Sequence, residues 1–599
     1  MMHGAWIRGA MLWAAALLAC ASAHAQQSPH DRLSALAREI TFGSAQRLPM
    51  LATTLGISGH DGELEHPSEA FRASLVEQLR GWERQLKEIT SSLGPQAALV
   101  DRDDARLLQA MLTQQLDELL VYQIDRKDPA LAAMNVVNAI FVQFQHLPVP
   151  GREGASAADR HRAWEDITAR LEAVPAYLSA SRPLVTMPCH LYGVVGSREL
   201  AGVPQFLQGA LSQEAARALA DDPRALVRFE RARDAAVASI AAVRRDIDAH
   251  LAAWPENYAM GRAAYDHMLR EEQLLPYDAD DVERMGEDEL NHGWAEEAWL
   301  DADSRAKAVP FGAASGGGMA PAGPALIEYY RQQIDTLRRF VIDRKVVTVP
   351  AWLGRIEVTQ TPSFLQPVSP GASMNPPRMF ATSTTGYYYI TPPKSLAAAA
   401  ARLDMNEDFD RDRILATAAH EAMPGHFLQL SIARRHPDFV RKISFAGTFA
   451  EGWAFYGEEM FVRLGLYGQD LDARLYTARW ERVRGARAVV DPQLATGAWT
   501  YARAVDFFSA QTGFSRADAE AAVAGIAAQP GYVIAYTVGR AQLESLQGEY
   551  MRRMQAKGSL LDFHDRLLSY GTTPFAIVAP ELLADLDKPA SAVRAAANY

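Results

Sequence analysis

From about Asp31 to Lys307, apolar residues recur at three- and four-residue spacing and almost never alternate. That period commits this half of the chain to amphipathic helices, because a half-buried strand would need a period of two. Residues 67–80 and 101–120 carry the pattern most clearly, and the alanine-rich stretches 214–220 and 235–243 continue it. Breaks fall at residues 148–154, at Ser181-Arg-Pro183, and at residues 275–281. The last of these has the acidic first turn and N-cap candidates of another helix start. Helical pairs do not repeat at a fixed period, which excludes a solenoid.

One region departs from this rule. Residues 345–350, 355–361 and 386–391 are rich in β-branched and aromatic residues and are bounded by Pro and Gly. They predict a small sheet within residues 345–391, one edge of which could take an extended peptide by adding main-chain hydrogen bonds. Its tyrosines, Tyr388 among them, either pack the sheet or meet substrate. Before it, residues 311–324 form a Gly/Pro-rich loop or lid hinge. After Pro393 the pattern is helical to the end. The expected fold is mostly α, with a helical N-terminal region (26–310), the loop, and a second region (325–599) holding the sheet, the helices of 411–465 and the C-terminal helices.

A chain of 599 residues with 49% hydrophobic and 22% charged residues is globular in composition. Its formal charge of -12 argues against nucleic acid and anionic membranes, both of which reward Lys and Arg. Residues 1–25 read as a signal peptide, with Arg8, an apolar run from Ala10 to Ala19, and Ala23-His-Ala25 as a cleavage site. Within it, Leu17-Leu-Ala-Cys20 resembles a lipobox. Periplasmic export as a soluble protein and anchoring through a lipidated Cys20 therefore both stand, and no later segment has membrane-spanning length without charges. Besides Cys20, Cys189 is the one other cysteine, so no intramolecular disulfide survives cleavage.

The stretch Thr417-Ala-Ala-His-Glu-Ala-Met-Pro-Gly-His426 concentrates the chemistry. Neutral imidazoles are the usual nitrogen ligands of zinc, and Glu421 beside His420 is placed to act as base on an attacking water. A spacing of six leaves His420 and His426 about 120° apart on a regular helix. Pro424 lacks the N–H that would bond the His420 carbonyl, and Gly425 adds freedom, so a widened turn could restore convergence. Glu451 is the better third-ligand candidate, and Glu458, seven residues on, a partner for a ligand histidine. Two acids facing inward beside Trp453 and Phe455 are costly unless a cation balances them. On the apolar helix further on, Tyr536 is a candidate donor to a developing oxyanion, with Arg540 one turn later a candidate substrate contact.

At His420-Glu-Ala-Met-Pro-Gly-His426 and Glu451-Gly-Trp-Ala-Phe-Tyr456, the sequence resembles the bacterial zincin-like family catalogued as domain of unknown function 885. The resemblance extends to residues 530–539 and to Phe563-His-Asp565 through Gly571 and Pro574. It implies a largely helical zincin-like metallopeptidase with a deep cleft beside the sheet, His420, His426 and Glu451 as Zn2+ ligands, and Glu421 as base. The expected activity is hydrolysis of short peptides or chain ends. Alternatives are a zinc-dependent amidase acting on a non-peptide amide and a catalytically impaired binding protein. One departure bears on this: where the family tends to carry Asp-x-Gly-x-His, this chain reads Asp491-Pro-Gln-Leu-Ala495. Loss of that histidine implies different kinetics, a different substrate, or reduced activity.

Overall fold

The computed structural model describes residues 28–588 apart from 95, 150–154, 309–319, 322–323, 363–364, 367–371, 392–410 and 469. The leader 1–25 with Cys20, and most of the Gly/Pro-rich segment 311–324, lie outside the described residues. Helices dominate. Those that position the site are α1 (Leu99–Asp117), α2 (Leu131–Gln145), α3 (Ala279–Lys307), α4 (Pro324–Asp343), α5 (Arg411–Glu421), α6 (His426–Ala433), α7 (Gly447–Arg463), α8 (Leu471–Ala495), α9 (Ile534–Met554) and α10 (Leu560–Ser569). Among the described residues, none is long and apolar enough to cross a membrane.

The helices arise where the periodicity places them. Helix Glu69–Ser91 starts at Ser68, whose hydroxyl accepts the Phe71 N–H, and it buries Val76, Leu79, Trp82, Leu86 and Ile89 at spacings of three and four. The break at residues 275–281 is resolved as expected: Asp278 caps α3, accepting from the backbone N–H groups of Asp280 and Asp281.

The sheet has three strands, β1 (Ile356–Gln360), β2 (Ala372–Asn375) and β3 (Gly386–Ile390), in the order β1-β3-β2. Strand β3 runs parallel to β1, with Val358 opposite Tyr388, and antiparallel to β2, with Met374 opposite Tyr388. Two of the three expected strands form. Residues 345–350 do not pair with the sheet. The Val346 carbonyl meets His564 Nδ1 at 2.7 Å, and the Thr348 N–H donates to Asp565 Oδ1 at 2.8 Å, so α10 side chains take the place of a neighbouring strand. Strand β2 instead comes from Ala-Ser-Met-Asn, which has no β-branched residue to announce it.

Successive β3 side chains point to opposite faces, and this alternation divides two cores. Tyr388 and Ile390 join Ile414, Phe427 and Trp453 on one side, while Tyr389 joins Phe141 of α2 on the other. The ring of Tyr388 is fully buried and packs 5.7 Å from Tyr330 of α4. Its expected role as a substrate contact is therefore corrected: it is core, because the face it occupies is covered by α4 and α5.

Elsewhere the two halves of the sequence lie directly against each other. Along α3 and α8 the backbones approach so closely that a Cβ on Gly485 would stand 2.5 Å from the Leu290 nitrogen, and one on Gly286 2.7 Å from the Val489 nitrogen. Gly485→Ala should therefore destabilise the protein by about 1–3 kcal/mol through overpacking. Gly548→Ala, at an open helical position in α9 with no atom within 4 Å of the added Cβ, should stabilise it by about 0.5–1 kcal/mol. Denaturant midpoints of the two variants, moving in opposite directions from wild type, check this.

Candidate metal centre

The local chain path makes the site. Helix α5 ends at Glu421, the Met423–Pro424 peptide bond is cis, and α6 begins at His426. The expected widened turn is in fact a complete break between two helices. Gly425 is dictated by closeness: a Cβ there would fall 1.7 Å from the His420 carbonyl oxygen. The break is fastened to α7 by Trp453, whose indole N–H donates to the Pro424 carbonyl at 2.9 Å.

This geometry brings the last turn of α5 and the first residue of α6 onto one carboxylate. The imidazoles of His420 and His426 lie edge to face, 4.8 Å apart, and each Nε2 is 3.3 Å from Glu451 Oε2. His420 and Glu451 are 7% and 6% exposed. Glu451 Oε2, the oxygen on which both imidazoles converge, has no hydrogen-bond partner, and neither has His426 Nδ1. Two nitrogens and one carboxylate oxygen, all within 4.8 Å of one another, form a donor set that fits zinc, and a cation between them would satisfy the orphaned oxygen.

The surroundings orient the donors. His420 Nδ1 is 2.7 Å from Glu458 Oε1, and Glu458 in turn accepts both guanidinium arms of Arg484 from α8 at 2.7 and 2.8 Å. That contact assigns the Nδ1 proton toward Glu458 and leaves Nε2 as the free donor. Glu451 Oε1 accepts the hydroxyl of Tyr532 at 2.8 Å. Burial alone would raise the Glu451 carboxyl, but the facing His426 and His420 outweigh it and hold it well below the ordinary carboxylate range. For His420, burial favours the neutral ring. The facing Glu451 carboxylate and the hydrogen bond to Glu458 outweigh it and bring the metal-free imidazole to about 10. A proton thus competes with a metal for this position.

Glu421 stands beside the triad without joining it. Burial raises its carboxyl above the usual value, opposed by His420 and His426 and reinforced by Glu451 and Glu458. Tyr536 lies flat over the His420 ring, 5.9 Å away and 20° from parallel, with the Arg484 guanidinium 5.3 Å from its own ring. Its hydroxyl is raised well above the usual value, first by burial and then by Glu451 and Tyr532. Arg487 adds a further positive charge that faces Tyr536, Tyr532 and Glu451.

Arg540 is elsewhere. It is buried among Glu289 of α3, Glu459 of α7 and Glu481 of α8, with 3.1 Å to Glu459 and 3.2 Å to Glu481. The expected substrate contact is corrected to a buried ionic tie between helices, since one turn along α9 from Tyr536 is already interior. Sequence reasoning misses three residues. Tyr532 is four before Tyr536 but lies in the turn ahead of α9, so helical periodicity does not announce it. Arg484 and Arg487 carry no signal of their own.

Asp491 and Ala495, where the histidine motif lapses, also have definite places. Asp491 is fully buried and accepts the Tyr265 hydroxyl at 2.6 Å and the Gly531 N–H at 3.0 Å. It thereby holds the turn that presents Tyr532, a turn that needs glycine because Gly531 has φ +79°. Ala495 packs against Tyr265 and Val538.

A family model described as "Bacterial protein of unknown function (DUF885)" matches residues 49–582. A search of curated proteins gives no match. Two solved structures share the fold. One, from Shewanella oneidensis, is described as a candidate lipoprotein of unknown function. It matches with a TM-score of 0.69 and 19% identity over 93% of this chain and 100% of its own. The other, a candidate lipoprotein from Colwellia psychrerythraea, matches with a TM-score of 0.74 and 18% identity over 94% and 100%.

Zinc content per chain, measured on the purified protein, should be near one for wild type and near zero for His420→Ala. Glu458→Gln should retain the site but bind zinc about 10–100-fold more weakly, since it loses only the orienting charge. Equal metal in wild type and His420→Ala would remove His420 from the site.

Proposed function

The chain belongs to the DUF885 family of bacterial proteins of unknown function, and on that premise we propose that it is an exported, zincin-like zinc metallopeptidase acting on short peptides or chain ends. One observation carries the reading: two imidazole nitrogens converge on a buried, otherwise unbonded carboxylate oxygen of Glu451. Zinc bound there would act as a Lewis acid on the scissile carbonyl and lower the pKa of the attacking water.

The chain's own groups supply the rest. Glu421 is outside the donor set, and its raised carboxyl suits it to take a proton from the attacking water and hand it to the leaving amine. His420 is fixed in one orientation by Glu458, and Glu458 by Arg484, so the first donor needs no reorganisation. Tyr532 and Tyr536 hold their protons firmly at neutral pH because burial raises both hydroxyls. Tyr532 spends its proton on Glu451 and accepts a hydrogen bond from Tyr536, whose hydroxyl would turn from Tyr532 to the developing oxyanion. Arg487, facing both tyrosines, favours the same developing negative charge. That arrangement compensates for the absent histidine at Ala495 and favours a peptidase over an impaired binding protein.

Export rests on the leader at residues 1–25, and the lipobox-like Leu17-Leu-Ala-Cys20 agrees with the lipoprotein descriptions given to both structural relatives.

Glu421→Gln should lower kcat/KM on a peptide library, read by mass spectrometry, by about 10²–10⁴-fold while leaving zinc content unchanged. Tyr536→Phe should lower kcat by about 10²-fold with little change in KM, because its hydroxyl acts on the transition state. Undiminished cleavage by Glu421→Gln would remove it as the base.

A further inference from the structure

A cavity of about 330 Å³ opens beside the metal centre. Tyr532, whose hydroxyl is on Glu451, forms part of its wall, as do Ala446, Gly447 and Thr448 at the start of α7. The volume is at the lower end of small-molecule sites, which run from roughly 300 to 1,000 Å³. It is room for a side chain or two of a peptide, and far more than a bare ion needs.

The wall supplied by the N-terminal half has a definite chemistry. Helix α1 runs into a π-helical turn, Glu118–Tyr122, and a second π-helical turn spans Met268–Glu272. Such turns re-aim side chains that a regular helix would place elsewhere, and they recur at functional sites. Here they direct Glu118, Tyr122 and Glu272 at the cavity. Glu118 is solvent-accessible on the cavity side, and partial burial there raises its carboxyl. Glu272 accepts the Tyr122 hydroxyl and lies close to Asp117, which is itself 2.9 Å from His267 Nε2. Among the described residues, neither Glu118 nor Glu272 is ion-paired with a lysine or arginine. Lys127, also on the lining, has Cys189 and neither glutamate as its electrostatic neighbour. Two partly desolvated carboxylates on one wall, with no lysine or arginine paired to them and only the His267 imidazole near Glu272, are unfavourable as they stand, and a positive ligand group would relieve the cost of both.

We propose that this cavity is a substrate subsite that seats a cationic group of the peptide, an ammonium or guanidinium, against Glu118 and Glu272, while Tyr532 joins the subsite to the reacting bond at the metal centre. The inference rests on the peptidase reading for its substrate class, but its test does not depend on hydrolysis. The aromatic lining, Tyr122 and Tyr532 with Tyr192 and Tyr258, suits the aliphatic stem and charged head of a lysine or arginine side chain, and it also suits a peptide's free amino terminus.

The test is titration calorimetry on the full mature chain with three probes: N-acetyl-Ala-Lys-Ala-amide, its neutral isostere N-acetyl-Ala-Met-Ala-amide, and Ala-Met-Ala-amide with a free amino terminus. At least one charged probe should bind about tenfold or more tighter than the neutral one, the worth of one charge-assisted contact. Preference for the lysine probe assigns the subsite to a side chain; preference for the free amine assigns it to the chain end. The Glu118→Gln/Glu272→Gln double variant should lose the preference while binding the neutral probe as wild type does. Glu118→Gln alone, which removes a group with no hydrogen bond to lose, should reduce the preference about threefold or more and guards against a folding defect in the double variant. Equal affinity for all three probes, no binding of any, or a preference that survives in the variants would overturn the proposal. So would displacement of the charged probe by calcium or zinc added beyond one equivalent, which would make the acidic wall a second metal site. If the preference holds but no peptide is cleaved, the peptidase reading fails and the subsite stands.

Discussion

An ionised carboxylate placed between two imidazoles in a dry interior is the constraint around which this molecule is built. Glu451 shares α7 with Phe449, Trp453 and Phe455, all fully buried, and is itself only 6% exposed, so little solvent is at hand to compensate its charge. Everything near it answers that problem. The chain breaks at Pro424-Gly425 so that His426 can turn back, and Trp453 locks the break. Tyr532 occupies one carboxylate oxygen, which leaves the other for the imidazoles. The compensation extends outward in shells: Glu458 balances His420, Arg484 balances Glu458, and Asp491 holds the turn that delivers Tyr532. Few of these ties are local in sequence. Their cost is justified only if the centre they fix has a task.

The candidate metal residues were legible in the sequence for a reason that regular geometry would have hidden. Histidines six apart do not share a helix face, but proline and glycine between them are punctuation, and punctuation can be read. What could not be read was what each helix face is packed against. In the sequence Tyr388 stays open between sheet packing and substrate contact, and Arg540 is a substrate candidate through its place one turn beyond Tyr536. Their actual neighbours, Tyr330 for one and three glutamates for the other, come from elements more than 50 residues away. The same limit explains the strands. Residues 345–350 have β composition, yet side chains of α10 satisfy their backbone; β2 lacks β composition and exists because β3 offers it a partner. Helix existence and helix caps depend on local physics and were read well, as Asp278 illustrates.

The partition between halves also has functional weight. The C-terminal half carries all three candidate ligands, whereas Glu118, Tyr122 and Glu272 belong to the N-terminal half and meet Tyr532 only across the cavity. On the proposed function, chemistry and recognition would be supplied by different parts of the chain. The helices packed backbone to backbone through Gly286 and Gly485 keep the two in fixed register. An arrangement of this kind lets the substrate wall vary while the centre is held constant.

The central claim is that His420, His426 and Glu451 together hold one zinc ion. An anomalous difference map from crystals of the purified protein, recorded on both sides of the zinc absorption edge, addresses it directly. The account predicts a single strong peak about 2.0–2.2 Å from His420 Nε2, His426 Nε2 and a Glu451 carboxylate oxygen. A peak elsewhere, or full zinc occupancy in crystals of His420→Ala, would contradict it.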